Sequence, residues 1–338
     1  MSEKRVKACI SGKRSVIDMR DFVRLVFDAT VQIPPGRVST YGDIANALGD
    51  IAASRTVGMI LAENLRPIVV PCHRVVYSSG EIGWYGGKGK GTERKKDLLS
   101  KEEVRIRDGK VEDFENVRFA DFKIEPMLKD LKREQEALRK KVMEKDDFGK
   151  LMYVAGLDVS YADDDAFATK VLYDWSEDRI VDHRTIRSRA GFPYIPSYLA
   201  FREIPVLADL IDNRKNTVYL VDGQGVLHPR AFGIASHIGV AFDIPTIGVA
   251  KSLLCGTVEN EEAAKSPIEL NGRPRGYYLR SSGKHPVYVS VGHRVSLKSA
   301  VRIVSRFLES GKVDPLREAH RLANSARKSV AGTEESKE

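Results

Sequence analysis

One cysteine of this 338-residue chain lies in the sequence setting of a nucleophile. Cys72 stands between Pro71 and His73, with Arg74 next, at the end of an apolar run. The reactive form of cysteine is the thiolate, which neighbouring imidazole and guanidinium groups favour. Proline fixes the backbone before the cysteine, which is typical of a rigid turn that presents a side chain. On these residues alone, a buried structural cysteine beside a surface histidine remains the alternative.

A second set of candidate residues consists of carboxylates on predicted buried strands. Asp158 interrupts the apolar run 151–161, and Asp222 follows the apolar residues of 218–223. A buried carboxylate is costly unless it is paired or binds a cation. Together with Glu203, these oxygen ligands suit Mg²⁺, with Mn²⁺ as the alternative metal. A hydrogen-bonded structural role remains open for each carboxylate.

Alternating strand and helix patterns must position these carboxylates. Helices are predicted over 199–210 and 297–308, and a further strand over 287–294 ends in Gly-His-Arg. An amphipathic helix precedes them, with a three-four spacing of the seam residues Leu128, Leu131, Gln135, Leu138 and Val142. The composition shift before this helix predicts a boundary between two domains, for which the chain is long enough.

Composition narrows the class of protein. The net charge of +8 and the pI near 9.2 favour a polyanionic partner. Three cysteines cannot form a full disulfide framework, and Cys9 and Cys255 show no chemical pattern, so a reducing, cytoplasmic compartment is expected. No apolar run reaches the ~18 residues of a membrane span, and residues 1–20 lack the hydrophobic core of a secretory signal, so we expect neither feature.

The residues from about Arg20 to Val104 resemble the C-terminal active-site domain of the O6-alkylguanine-DNA alkyltransferases. The stretch 34–45 resembles the start of that family's helix-turn-helix, and 54–58 the start of its recognition helix. The resemblance implies a fold that is mainly α, winged helix-turn-helix-like and free of cofactors. The implied catalytic residues are the alkyl acceptor Cys72, the activating His73, the orienting Glu102 and the bracing Asn64.

The same resemblance implies binding to the DNA minor groove and extrusion of the target nucleotide. Arg55 would fill the gap in the stack, and Tyr41 would push the phosphate or base, although a buried helix-cap aromatic is the alternative for Tyr41. The other implied contacts are the narrow recognition-helix face Ser54, Thr56 and Gly58, and the pocket wall Tyr85 and Gly86.

Two features depart from the alkyltransferase pattern. Only about twenty residues precede the match, where full-length relatives carry another domain. The loop 86–91 is longer and more basic than usual, and it matches no P-loop spacing. We therefore expect a cationic lip on the alkylguanine pocket and no nucleotide cofactor.

The second half, roughly residues 125 to 312, resembles endonuclease V. The matching segments are 156–161, 193–196, 201–203, 222–230, 248–252 and 292–294, in the family's order. The resemblance implies an α/β ribonuclease H-like fold with a mixed central sheet and the acidic site on that sheet. It also implies cleavage of DNA at the second phosphodiester bond on the 3′ side of deoxyinosine.

Residue roles follow from this resemblance. Asp158, Glu203 and Asp222 would hold the metal, His293 would complete the site, and a bound cation would activate water. Lys251 and His228 match further active-site positions. The strand-separating wedge would be Pro193, Tyr194, Ile195 and Pro196, followed by Ser197 where the family often has Gly.

The sequence thus predicts a bifunctional DNA repair protein, expected to be a monomer that binds duplex DNA carrying O6-alkylguanine or deoxyinosine, with no membrane partner. The alternative is a lesion-sensing or regulatory protein in which one domain only tethers the other. The predicted segments are a flexible basic arm at 1–19, the alkyltransferase domain at 20–115, a linker at 116–122, the endonuclease V domain at 123–324 and a disordered tail at 325–338.

Overall fold

The computed structural model describes residues 19–86, 91–281, 285–309 and 312–334, which divide into two units. Described residues within Ile17–Arg133 and Phe192–Pro196 form the first, which we call the Cys72 unit. Those within Glu134–Gly191 and Ser197–Glu338 form the second, which we call the sheet unit. The predicted basic arm lies, apart from Met19, outside the described residues.

The Cys72 unit is mainly helical. Its helices are α1 (Met19–Val31), α2 (Tyr41–Ala47), α3 (Ser54–Ala62), α4 (Thr92–Lys101) and α5 (Phe114–Val117). Two short strands, β1 (Ser39–Thr40) and β2 (Val75–Val76), pair in parallel. Two more, β3 (Ile106–Arg107) and β4 (Lys110–Val111), pair antiparallel. Helix α6 (Met127–Arg139) crosses the division between the units.

Helix α2 starts where the sequence supplies a reciprocal cap. The Thr40 hydroxyl accepts a hydrogen bond from the Asp43 amide at 2.9 Å, and the Asp43 carboxylate accepts one from the Thr40 amide at 3.1 Å. This capping box satisfies two amides that a helix start would leave unpaired. A 3-10 turn, Ile51–Ala53, then leads into α3.

The segment predicted as a linker at 116–122 packs onto the Cys72 unit. Val38 donates its amide to the Val117 carbonyl at 2.9 Å and accepts the Phe119 amide at 2.7 Å. Arg118 pairs with Asp43 through both carboxylate oxygens, at 3.0 and 2.7 Å. These contacts hold the segment in place, and the division between the units falls instead between Arg133 and Glu134.

The sheet unit is built on a mixed sheet of nine strands among the described residues, in the order β10-β11-β12-β13-β9-β8-β5-β6-β7. The strands are β5 (Tyr153–Ala162), β6 (Asp165–Asp174), β7 (Arg179–Arg189), β8 (Thr217–Asp222), β9 (Thr246–Ala250), β10 (Thr257–Val258), β11 (Lys265–Leu270), β12 (Arg273–Leu279) and β13 (Val287–His293). Strand β8 is parallel to β5 and β9, and the remaining pairs are antiparallel. The predicted mixed sheet is confirmed.

Helices flank this sheet. They are α7 (Leu199–Leu207), α8 (Ile234–Phe242), α9 (Leu297–Leu308) and α10 (Pro315–Glu334). The prediction of a helix over 297–308 is confirmed at both ends. One core cluster joins Val154, Tyr173 and Val218 of the strands to Phe307 of α9 and Leu316 of α10. Among the described helices, none has the length and apolar composition that crossing a membrane requires.

Helix α10 occupies a segment for which disorder was predicted from Ser325 onward. It continues to Glu334, and the predicted residues beyond it lie outside the described part. Its buried side is made of Leu316, Ala319 and Ala323, which are 8, 0 and 0% exposed. Ala319 and Ala323 are small side chains that lie between charged ones in the sequence. The helix therefore gains its stability from packing on the sheet and not from a visibly apolar sequence.

A glycine in β5 lets α10 approach the sheet. A β-carbon placed on Gly156 would lie 2.3 Å from the Pro315 carbonyl oxygen and 2.6 Å from the Leu316 amide nitrogen. Both are backbone atoms that cannot move aside alone, so only glycine fits at this crossing. The contact fixes the start of α10 over the middle of β5.

Candidate functional site

The nucleophile predicted in the first half sits on a braced turn. Cys72 begins a 3-10 turn, Cys72–Arg74, directly after Pro71. The Asn64 side-chain amide donates to the Val70 carbonyl at 3.0 Å and to Cys72 Sγ at 3.2 Å. Asn64 therefore connects the end of the α3 segment to the sulfur and holds the turn in place.

A relay of charged groups lies behind this turn. His73 Nε2 is 2.9 Å from Glu102 Oε1, and Arg74 donates to both oxygens of Glu102, at 2.8 and 2.7 Å. Burial raises the pKa of Glu102, but the hydrogen bonds from Arg74 and His73 outweigh it, so that the pKa is lowered overall. Burial lowers the pKa of His73, against the effect of Glu102. The arrangement places a neutral imidazole, with Nδ1 buried and without a hydrogen-bond partner among the described residues, next to the cysteine in sequence.

Sequence reasoning missed a buried lysine in this site. Lys95 is 1% exposed, and its ammonium donates to the Val75 carbonyl at 2.6 Å and the Trp84 carbonyl at 3.4 Å. Burial lowers the pKa of Lys95 to about 8, opposed by its interaction with Cys72. Its neighbours Arg94 and Lys96 make the run look like a solvated helix face. The available signal was its position four residues before the buried Leu99, on one side of α4.

A cavity of about 660 Å³ opens beside Cys72. Of the predicted DNA-contacting and pocket residues, it is lined by Tyr41, Ser54, Arg55, Gly58, Tyr85 and Gly86. Trp84 and Tyr77 complete an aromatic wall, whereas Thr56 is buried and does not line the cavity. Burial, with smaller effects from Tyr77 and Cys72, raises the pKa of Tyr41 to about 12, so this hydroxyl stays protonated. Residues 87–90 of the predicted cationic lip lie outside the described part of the chain.

The carboxylates predicted in the second half meet on the sheet. Leu157 pairs with Val221 in the parallel strands β5 and β8, so Asp158 and Asp222, the next residue of each strand, lie side by side. His320 reaches them from α10, and its Nδ1 lies 3.0 Å from Asp158 Oδ2. Among the described residues, ligand atoms of these three side chains lie within 4.8 Å of one another.

The electrostatics of this acidic cluster favour a bound cation. Burial and the Asp222 charge raise the pKa of Asp158 to about 8. Burial, followed by the charges of Asp158 and Asp222, raises the pKa of Glu203 well above its usual value. Lys251 offsets part of the negative charge, since its ammonium lies 2.6 Å from Asp222 Oδ2. Two carboxylates, an imidazole and a third carboxyl group nearby are a donor set that fits a divalent metal.

The structure brings His320, and not His293, to the carboxylates. His293 Nδ1 accepts the Met143 amide at 3.1 Å, and its Nε2 lies 3.6 Å from Asp243 Oδ1. Both ring nitrogens thus have partners away from Asp158 and Asp222. Sequence reasoning missed His320 because it lies beyond the residues to which the resemblance was extended.

His228 is also set apart from solvent. It is 3% exposed, and its Nδ1 accepts the Arg230 amide at 3.2 Å. Burial, with the Arg230 charge, lowers the pKa of His228 to about 4. The imidazole is therefore neutral near pH 7, and it can donate or accept a hydrogen bond but carries no charge toward a substrate.

The predicted wedge ends at a strained corner. Tyr194 is 61% exposed, while Pro193 and Ile195 are buried and Pro196 is exposed. Ser197 follows with a φ of 66°, in the left-handed region that favours glycine. This explains why glycine suits the position.

Within the sheet unit, Arg230 and Gln135 hold the Ser197 backbone in this conformation. The Arg230 guanidinium donates to the Ser197 carbonyl, to its hydroxyl at 2.9 Å and to Gln135 Oε1 at 2.7 Å. Gln135, 1% exposed, donates in turn to the Ser197 carbonyl at 3.2 Å. Arg230 also lies over the Tyr198 ring at 4.5 Å. These contacts fix Ser197 just before the start of α7, the helix that carries Glu203.

Comparison with known proteins gives matches over both halves of the chain. The family model for endonuclease V matches residues 136–321, and the model for the 6-O-methylguanine DNA methyltransferase DNA binding domain matches residues 21–104. The bifunctional methyltransferase/endonuclease of Picrophilus torridus is 34% identical over 89% of this chain and 95% of its own length. The protein of that name from Thermoplasma volcanium is 35% identical over 89% of both.

A solved structure matches the second half. It is endonuclease V of Ciona intestinalis in complex with a 24-mer DNA that contains an inosine followed by a ribo-adenosine. This chain is similar to it with 29% identity and a TM-score of 0.54, over 60% of this chain and 98% of that one.

Replacing Glu102 tests the relay. In Glu102→Gln, we expect the pKa of His73 to fall further, because burial and Arg74 then act without an opposing carboxylate. The measurement is an NMR titration of the His73 ring. Glu103→Gln, an exposed neighbour, is the control that should leave the titration unchanged. An unaltered His73 pKa in Glu102→Gln would contradict the relay.

Ser197 tests the strained corner. Ser197→Ala and Ser197→Gly both lose the hydroxyl that Arg230 contacts, but only alanine keeps a β-carbon in the left-handed region. We expect the alanine variant to be less stable than the glycine variant by about 1 kcal/mol, as measured by chemical denaturation. Equal stabilities would show that the corner relaxes to another backbone conformation.

Proposed function

We propose two activities for this chain, which belongs to the endonuclease V family and, among its members, to the bifunctional methyltransferase/endonucleases, and is therefore a bifunctional DNA-repair enzyme. Cys72 takes alkyl groups from O6-alkylguanine. The cluster around Asp158 and Asp222 cleaves DNA near deoxyinosine. The observation that carries the first activity is the braced Cys72 beside an aromatic cavity. The observation that carries the second is the convergence of two strand carboxylates with His320.

The first reaction is a displacement at the alkyl carbon. Cys72 Sγ forms the new carbon–sulfur bond as the bond from carbon to the guanine oxygen breaks. The electron pair of the broken bond stays with guanine, and the thiol proton leaves toward His73 and ends on the base. Glu102 orients the imidazole, as a positioned carboxylate does in other nucleophile–base pairs. The thioether is stable, so each molecule reacts once.

The lining of the cavity suits an extruded base. We assign α2 and α3 to a winged helix-turn-helix-like pair that binds the minor groove, with Arg55 filling the vacated position in the stack. Tyr41 would push the phosphate or base, and its hydroxyl stays protonated because burial raises its pKa to about 12. Ser54 and Gly58 keep the helix face narrow, so the backbone can approach the duplex, and Tyr85 and Gly86 form the pocket wall.

The second reaction uses the acidic cluster on a ribonuclease H-like sheet. Asp158, Asp222 and His320 would hold Mg²⁺, or Mn²⁺, and Glu203, whose pKa is raised by burial and by the charges of both aspartates, is the candidate for a further ligand. When bound, such a cation activates water and stabilises the charge on the leaving oxygen. Lys251 places its ammonium at Asp222, where it can also neutralise a phosphate.

The substrate of the second reaction follows from the relatives. Endonuclease V of Ciona intestinalis binds a DNA containing inosine, and we infer that this chain cleaves at the second phosphodiester bond 3′ to deoxyinosine. Pro193, Tyr194, Ile195 and Pro196 would separate the strands around the lesion, with Tyr194 as the exposed tip. His228 would contribute a neutral imidazole beside this region.

A lesion sensor is the competing function. A sensor needs the recognition helix and the cavity, but it needs neither the His73–Glu102 pair nor a cluster of carboxylates whose pKa values are raised by burial and by mutual repulsion. Both sets of reactive groups are present in this chain, which favours two catalytic activities.

One assay tests both assignments. The wild type, Cys72→Ala and Asp222→Ala are incubated with duplexes bearing O6-methylguanine or deoxyinosine, with and without Mg²⁺. We expect Cys72→Ala to lose only metal-independent methyl transfer and Asp222→Ala to lose only Mg²⁺-dependent nicking, each to background. Cys255→Ala, which alters another free cysteine, is the control and should keep both activities. A wild type that binds both duplexes and reacts with neither would establish the sensor instead.

Metal affinity distinguishes the role of His320 from that of His293. His320→Ala should weaken Mn²⁺ binding by at least about 100-fold, since it removes a ligand. His293→Ala should leave the affinity unchanged and instead destabilise the fold by about 1–3 kcal/mol, through the unpaired Met143 amide. Calorimetric titration with Mn²⁺ and chemical denaturation measure the two effects. Loss of Mn²⁺ binding in His293→Ala, but not in His320→Ala, would show that His293 is the metal ligand, as the sequence predicted.

A further inference from the structure

A chain of hydrogen bonds extends from the acidic cluster into α10. His320 Nδ1 lies 3.0 Å from Asp158 Oδ2, and its other ring nitrogen, Nε2, lies 3.0 Å from the Asn324 side-chain amide nitrogen. The Ser160 hydroxyl donates to Asn324 Oδ1 at 2.9 Å. The imidazole is therefore held at both nitrogens, by a carboxylate on one side and by an amide on the other.

Both ends of this chain are fixed by regular structure. Ser160 follows Asp158 by two positions in β5, so the two side chains lie on one face of the strand. Asn324 follows His320 by four positions in α10, so these two lie on one side of the helix. Asp158 is 5% and Ser160 7% exposed. The half-exposed ring of His320 is thus connected to two buried groups of β5, to Asp158 directly and to Ser160 through Asn324.

We propose that Asn324 and Ser160 are positioning residues that orient the His320 imidazole and thereby set the affinity of the acidic cluster for a divalent cation. The inference rests on the proposed metal site of this cluster. It assigns to the hydrogen-bond chain a role in metal binding that the contacts of Asp158, Asp222 and His320 alone do not reveal.

The chemistry of imidazole explains why an amide suits this place. A neutral histidine that binds a metal through Nδ1 carries its proton on Nε2, and it then needs an acceptor there. The Asn324 NH₂ group lies 3.0 Å from both the Nε2 atom and the carbonyl oxygen of His320, so in this orientation it faces an unprotonated Nε2. Rotation of the amide gives up the bond to that carbonyl and presents the amide oxygen to a proton on Nε2. The Ser160 hydroxyl can donate or accept, so it satisfies the other end of the amide in both orientations. The ring is held with and without a metal.

The test is the Mn²⁺ affinity of the full-length chain, measured by calorimetric titration. Asn324→Leu keeps the size of the side chain and removes its hydrogen bonds to the His320 ring, to the His320 carbonyl and to Ser160, so the affinity should fall by about 10- to 100-fold. Asn324→Asp can only accept, which favours the proton on Nε2, so its affinity should equal or exceed that of the wild type. Opposite directions for two substitutions of similar size are not expected from a residue that only packs.

Two double variants separate orientation from other causes. Ser160→Ala should weaken binding several-fold in the wild type, but it should have no further effect in Asn324→Leu, because the connection to the ring is already lost. Asn324→Asp should lose its advantage in the His320→Ala background. If the added charge alone raised the affinity, the advantage would persist there, and the proposal would be overturned.

The failure of this proposal is distinguishable from the failure of the metal site. Wild-type affinity in Asn324→Leu, with loss of binding in His320→Ala, would overturn the positioning role and leave the metal site intact. A wild type that binds no Mn²⁺ at millimolar concentration would overturn both. Circular dichroism and methyl transfer at Cys72 establish that each variant is folded.

Discussion

The contact between Gly156 and the start of α10 determines the geometry of the acidic site. Because the helix backbone lies against the strand there, α10 runs along β5 and its residues stay in step with the strand. Two strand positions advance by about 6.6 Å, while five and four helix positions advance by about 7.5 and 6 Å. Gly156, Asp158 and Ser160 therefore meet Pro315, His320 and Asn324 in turn. A side chain at position 156 would disturb all three contacts together.

The two units differ in how far their buried charges are compensated by other protein groups. In the Cys72 unit the charges are compensated inside the protein, since Glu102 pairs with Arg74 and His73, and Lys95 donates to two carbonyls. Such pairing keeps the site ready without any added group. In the sheet unit, Lys251 contacts Asp222, and the pKa of Asp158 is still raised to about 8. Burial and the remaining repulsion between the carboxylates make the cluster a favourable place for a divalent cation.

Much of the fold and part of the sites could be predicted from the sequence. The strand carboxylates could be recognised because an aspartate in an apolar run is costly to bury unless it is paired or binds a cation. The braced cysteine could be recognised from its neighbours Pro71 and His73. Lys95 and α10 could not be predicted in this way. Charged neighbours surround Lys95 in sequence, and beyond Leu316 the buried side of α10 consists of small side chains, Ala319 and Ala323, between charged ones. Their burial depends on tertiary contacts, which local composition does not report.

The sequence predicted His293 at the carboxylates, but the structure places His320 there, which shows why a histidine at a strand end is an ambiguous signal. The His293 ring accepts the Met143 amide, and the neighbouring Arg294 exchanges backbone hydrogen bonds with Met143 and Asp147. These bonds tie the segment before β5 to the end of β13. An imidazole serves this purpose as well as it serves a metal, because both uses need one lone pair in a fixed direction. Only the position of the carboxylates distinguishes the two uses, and in this chain they lie beneath α10, next to His320.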